Sequence, residues 1–210
     1  YLEAGGPVMW PILGTAMVAG AVVGERIFWW TRESRRGDPG TLEKLFAALE
    51  NGDFKEAARL SKGSNDPVLR MIWHGMNHYH SSLQGALQVA AGAEIQKAGR
   101  FLTVMDTLVT LGPLLGLLGT VSGIFRTFLS IGGTSVEGAM AEVTGGIGEA
   151  LIATMCGLAI AIVALIPFNY FTRKNAQLQF DLESAATNVE VMVAAARQRG
   201  VETQSLRKES

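Results

Sequence analysis

The chain has 210 residues, 48% of them hydrophobic and 18% charged, with 25 glycines, which points to a membrane protein with a modest soluble part. A net charge of −1 gives nucleic-acid binding no electrostatic support. The single cysteine, Cys156, lies in an apolar run and excludes an internal disulfide framework.

The first apolar stretch runs from about Pro7 to Gly24 and ends in Glu25-Arg26, followed by Phe28-Trp29-Trp30, which fit an interfacial aromatic belt. The chain opens on Tyr1, and the stretch is preceded by Glu3 and no basic residue, so it lacks a signal-peptide n-region. Residues 1–30 are read as an outer N-terminus and first membrane helix. Residues 31–103 read as a helical cytoplasmic insertion. Gly37-Asp38-Pro39-Gly40 breaks the chain, and Thr41 is expected to cap a helix ending near Asn51-Gly52. Asp53 caps the next, and after the turn at 62–67 Pro67 opens a helix containing Leu69, Ile72, Trp73 and Met76. His74 and His78 are spaced i, i+4, but no third ligand is convincingly spaced, so solvated helix surface is preferred to a metal clip. From about Ser82, the row Leu83, Leu87, Val89, Ala90, Ile95 and Ala98 predicts one continuous helix rising into the second membrane span.

That second span, residues 104–130, is the most informative. Nineteen uncharged residues separate Asp106 from Arg126, about enough to cross a bilayer core. Gly112, Gly116, Gly119 and Gly123 recur at spacings of four, three and four, hence on one helical face. Beside them runs a line of Thr110, Pro113, Leu117, Thr120, Ile124 and Thr127. Glycines let helices approach closely in lipid, and hydroxyls at membrane depth can hydrate or relay an ion. The same devices also serve plain packing, since a threonine hydroxyl can bond back to a carbonyl one turn earlier. Residues 131–142 are expected to form a short outer, periplasmic loop.

The third span, 143–172, carries a matching stripe of Gly146, Ala150, Thr154, Gly157, Ala161 and Ala164. At 1.5 Å per residue, Thr120 lies about 21 Å from Asp106 and Thr154 about 27 Å from Thr172, so the two hydroxyls reach similar depth in the outer half. A ring of such pairs would form a polar collar. Glu149 sits about 140° around the helix from Thr154 and cannot share its line. It is either a carboxylate at the outer interface or a buried acid that accepts or organises protons, and its place at the head of an apolar helix favours the second. Neither span carries a carboxylate near the midplane, so a conducting assembly needs a titrating group from another chain. Residues 173–210 read as a helical extension to about 198 with a frayed tail from Gly200. Eleven Lys/Arg lie between Arg26 and Arg100 and six follow Phe171, so the positive-inside rule makes that side cytoplasmic. The fold class expected is an all-α membrane protein with three transmembrane helices, long cytoplasmic helical extensions and a helical cytoplasmic insertion.

The strings LGPLLGLLGTVSGIFRTF and GGIGEALIATMCGL resemble the two signature helices of the MotA/TolQ/ExbB proton-channel family. The order of elements, including GDFKEAARL in the insertion, is also similar, and three crossings resemble ExbB and TolQ more than MotA. The resemblance implies that Thr120 and Thr154 match the family's polar pore positions and Glu149 its membrane glutamate. It also implies a homopentamer around two copies of an ExbD/TolR-like single-pass partner, which supplies a membrane aspartate. Such an assembly sits in the bacterial inner membrane and uses proton motive force to drive outer-membrane transport or envelope maintenance. It implies no cofactor, and H+ as the transported ion with Na+ as the alternative. Val163 stands where the family often has proline, and Pro167 follows one turn later, which should move any kink toward the cytoplasm. A non-conducting scaffold is the competing reading. A membrane enzyme is disfavoured by the lack of a nucleophile–base pair or metal cluster near the bilayer, and self-contained transport by the lack of inverted repeats.

Overall fold

The computed structural model describes residues 6–77, 79–130 and 136–209, and their side chains except those of 79–81, 130, 136–139, 141, 142 and 200–209. Seven helices follow one another among the described residues, with no strand: α1 (Met9–Ser34), α2 (Pro39–Glu50), α3 (Phe54–Ser61), α4 (Pro67–Asn77), α5 (Tyr79–Ala98), α6 (Leu102–Ser130) and α7 (Val136–Glu209). Three of these described helical stretches are long and apolar enough to cross a membrane. The protein is an all-α membrane protein. Its chain divides into a membrane unit (Tyr1–Phe28 and Phe101–Thr172) and an extramembrane unit (Trp29–Arg100 and Arg173–Ser210).

Short helices of the extramembrane unit start where the sequence places acidic caps. Asp53 accepts the Glu56 amide at 3.0 Å and opens α3. Asp66 accepts the amides of Val68 and Leu69 at 2.8 and 3.2 Å and opens α4, with Pro67 as its first residue. The other Asp66 oxygen accepts the Asp38 amide at 3.0 Å, so one buried carboxylate fixes two helix starts. At α2 the expected cap is corrected. Asp38, not Thr41, is the cap, and its carboxylate takes both the amide and the hydroxyl of Thr41. Asp38 prevails because it directly precedes Pro39, which suits the first helical position.

These helices enclose a core of Leu45, Leu49, Leu69, Met71, Ile72 and Leu87, closed by Leu182, Ala185, Val189 and Val193 of α7. The α7 residues recur at three- and four-residue steps, one face of a helix. Val89 departs from the expected apolar row and is 77% exposed, whereas Leu87 and Ala90 are buried. It lies two residues from Leu87, about 200° around the helix.

A charge network closes the same unit. The Arg70 guanidinium donates to Glu33 at 2.8 Å and to Glu94 at 2.6 Å, while Arg36 pairs with Glu33 and Lys97 with Glu94. Burial alone would push the Glu94 carboxyl up, but hydrogen bonds from Arg70 and Lys97 outweigh it and hold the group below the usual carboxylate value. Burial likewise opposes the Arg70 charge, and the bonds to Glu94 and Glu33 raise its pKa regardless.

Three further expectations are corrected along the chain. The predicted continuous helix from Ser82 into the second span is broken. Gly99 and Arg100 turn, and Phe101 adopts φ +66° before α6 begins. Gly99 has poor helix propensity, and the Arg26 guanidinium stands 5.6 Å from the Phe101 ring centroid, a cation–π contact that rewards the unusual conformation. α7 begins at Val136 rather than Val143, because Ala139, Met140 and Ala141 favour a helix and the one glycine before them, Gly138, does not break it. It also runs past Gly200 to Glu209 instead of fraying, through a stretch rich in Glu, Gln, Leu, Arg and Lys. Helix α7 therefore takes in 136–142 of the expected outer loop, while residues 131–135 lie outside the described residues, as does His78 of the histidine pair. α7 continues through Pro167 with no interruption.

Candidate functional site

The centre of the membrane unit is the seam between α6 and α7. A Cβ on Gly112 would stand 2.8 Å from the Gly157 carbonyl oxygen and 3.2 Å from Ala161 Cβ. On Gly116 it would stand 3.0 Å from Thr154 Cα, on Gly119 2.6 Å from Ala153 Cβ, and on Gly123 2.9 Å from Ala150 Cβ. Gly146 faces Thr127 so closely that a Cβ there would overlap the Thr127 hydroxyl. Four glycines of α6 thus meet Gly146, Ala150, Ala153, Thr154, Gly157 and Ala161 of α7, and the two backbones touch. In lipid such contact relies on dispersion and on close polar bonds, because the surrounding acyl chains are as apolar as leucine.

Polar groups sit on and beside this seam. The Thr154 hydroxyl crosses it and donates to the Gly116 carbonyl at 2.8 Å. Removing the Gly116 side chain is what lets that oxygen come within reach. The Thr120 hydroxyl donates to the Leu117 carbonyl at 2.7 Å on its own helix. Since Gly116 faces Thr154 and Gly119 faces Ala153, Thr120 and Thr154 lie within one helical turn of each other in level. The rest of the hydroxyl line divides. Thr127 is buried and bonds the Gly123 carbonyl at 2.9 Å, whereas Thr110, Leu117 and Ile124 are exposed. Thr110 bonds its own helix at Asp106.

Glu149 stands near the end of the seam. Its carboxylate accepts from the Arg126 guanidinium at 2.9 Å, with side chains 30% and 47% exposed respectively. The backbone of Gly6, at φ +68°, lies against the pair, and a Cβ on Gly6 would overlap the Glu149 carboxylate. Past Gly6 the chain enters α1, whose Met9 and Ile12 pack with Ala153.

Sequence reasoning singled out Glu149 but missed its partners. The sequence marks Arg126 only as the charge that ends the uncharged run of the second span. The signal was present: Arg126 is 20 residues from Asp106 and Glu149 23 residues from Thr172, so the same depth arithmetic brings opposite charges to one level. Gly6 carries no such signal, because its requirement arises from tertiary contact. Among the described residues no cluster of His, Cys, Asp and Glu is arranged to hold a metal.

With the seam in view, the likeness to known proteins can be placed. Residues 60–184, which include the whole seam, match the family described as the MotA/TolQ/ExbB proton channel family. An ExbB-like biopolymer transport protein of Synechocystis sp. is 35% identical over 175 residues, covering 80% of this chain and 81% of that protein. An ExbB homologue of Methanothermobacter thermautotrophicus, also described as a biopolymer transport protein, is 30% identical over 173 residues, covering 81% and 61%. The biopolymer transport protein ExbB of Xanthomonas campestris pv. campestris is 39% identical over 93 residues, covering 44% and 36%. The chain belongs to the MotA/TolQ/ExbB proton channel family.

Proposed function

We propose that this chain is the ion-conducting, ring-forming subunit of an ExbB/TolQ-like motor that converts proton motive force into mechanical work. The observation that carries the reading is the Thr154 bond to Gly116 with Thr120 one turn away. It puts two hydroxyls and a carbonyl at one level of the two spans, where their neighbours Leu117, Leu118, Val121, Leu151, Ile152 and Met155 are apolar. Such groups exchange hydrogen bonds with a passing ion or hydrated proton without carrying charge themselves. No midplane carboxylate accompanies them in α6 or α7. The titrating group therefore comes from an ExbD/TolR-like single-pass partner, two copies within a pentamer of this chain. Glu149 serves the same route at its outer end. H+ is the transported ion, with Na+ the alternative that hydroxyls would also accept.

The charge distribution supports a bacterial inner-membrane setting with the N-terminus periplasmic and the C-terminus cytoplasmic. The work serves outer-membrane transport or envelope maintenance, in keeping with the biopolymer transport names of the relatives. A non-conducting scaffold is the second reading, because both hydroxyls are already bonded to carbonyls within the chain, as pure packing would require. The double variant T120V/T154V, reconstituted with its partner in liposomes, separates the two. Conduction predicts a loss of ion flux of at least about a hundredfold while the complex still assembles, in the range expected when a preorganised polar group is removed. Undiminished flux in the assembled complex favours the scaffold.

A further inference from the structure

We propose that Arg126 is a positioning residue for Glu149 and that, with Gly6, the pair forms a clasp fixing the start of α1 to the α6–α7 seam. The functional half of this rests on the reading of Glu149 as part of the ion route. The structural half does not.

Three observations converge on one spot. Arg126, from α6, donates to Glu149 Oε1 of α7 at 2.9 Å and also approaches the Ser122 carbonyl of its own helix at 3.4 Å, which steers the guanidinium toward α7. Gly6 presses its backbone onto the same carboxylate, at a φ that L side chains rarely adopt, so any side chain there would both strain the backbone and displace the oxygen. The Gly6 carbonyl in turn accepts the Met9 amide at 3.0 Å, so the residue that covers the ion pair also begins the hydrogen-bond ladder of α1. Beyond it, Val8 approaches Gly119, and Met9 and Ile12 are buried with Ala153.

The consequence is mechanical. α6 and α7 are joined along the seam by small residues, but α1 has no glycine row of its own against them: Gly14, Gly20 and Gly24 have no atom within contact of a would-be Cβ. The start of α1 is held instead by the clasp and a few apolar side chains. An ion taken up by Glu149 neutralises the carboxylate charge that holds the Arg126 guanidinium, and so loosens the pair that Gly6 packs against. Occupancy of the carboxylate and the hold on α1 are thereby linked through one pair of charges.

Hydrogen exchange on the full chain in lipid nanodiscs reads the clasp directly, through the amides of Met9, Trp10 and Ile12, which form the first bonds of α1. R126Q should raise their exchange at least about tenfold, as loss of a charged hydrogen bond implies, while R126K stays within about threefold of the parent. The charge-exchanged variant R126E/E149R should restore protection. Unchanged exchange in R126Q, or no restoration by the exchanged pair, overturns the clasp. Ion flux through the complex with its partner tests the positioning role: R126Q should lose about tenfold and R126K should recover most of it, and equal flux in R126Q and the parent overturns that role. If T120V/T154V conducts normally while R126Q still loses protection, the conduction reading fails and the clasp stands.

Discussion

The two units of this chain are packed by opposite means. Buried residues at the membrane seam are small: Ala150, Ala153, Ala161 and Ala164 are at most 7% exposed, and the glycines opposite them have no side chain at all. The extramembrane unit buries Leu45, Leu69, Met71, Ile72 and Leu182 completely. Water explains the second choice, since each large apolar side chain removed from it contributes about 1.5–3 kcal/mol. Lipid explains the first. Moving leucine from acyl chains to a leucine-lined seam gains little, whereas bringing two backbones into contact gains dispersion and lets a threonine hydroxyl reach a carbonyl. Large side chains of α6 and α7 accordingly point away from the seam, as with Leu114, Leu118, Val121, Ile162 and Ile166.

If that contrast is right, adding atoms should harm one unit and removing them should harm the other. The largest effect is expected for G116L, because the side chain would meet the Thr154 backbone, which cannot swing aside. A cost of about 3 kcal/mol or more follows, seen as loss of folded, monodisperse protein in detergent. I72A should cost about 3 kcal/mol by opening a cavity in the extramembrane core, measurable by denaturant titration.

R70Q comes next. It leaves Glu33 and Glu94 buried without their shared cation, for a cost of about 2 kcal/mol once its partial exposure is allowed for. The network also sets a pH dependence. The folded Glu94 has a lowered pKa, so its stabilisation is complete above the unfolded carboxylate value of about 4.3 and is lost as pH falls through the lower folded value. Melting curves between pH 7 and pH 3 should show that loss in the parent and a smaller one in R70Q. The smallest effect has the opposite sign. G92A lies within α5 with open space around it and should stabilise by about 0.5–1 kcal/mol.

Much of this was legible in the sequence because lipid and helix geometry impose strict patterns. The facing rows from Gly112 to Gly123 and from Gly146 to Ala161 follow from the 3.6-residue period alone. The α3 and α4 starts at Asp53 and Pro67 follow instead from capping chemistry and from proline's fit to the first helical position. Apart from the α2 cap and the ends of α7, which are local, what escaped was decided by contacts between segments far apart in the chain. The break at Phe101 coincides with the Arg26 stack, seventy-five residues away. Gly6 must be glycine because Glu149 lies beside it. The Arg70 network joins residues from three helices, and charge spacing within one helix cannot announce it.

The hydroxyl of Thr154 carries the functional account, and ion flux through the reconstituted complex compared among the parent, T154S and T154V tests it most directly. Serine keeps the donor to the Gly116 carbonyl, and valine keeps the shape without it. Flux in T154S within about threefold of the parent, with at least about a tenfold loss in T154V, is the predicted result. T154V conducting as fast as the parent would contradict the account.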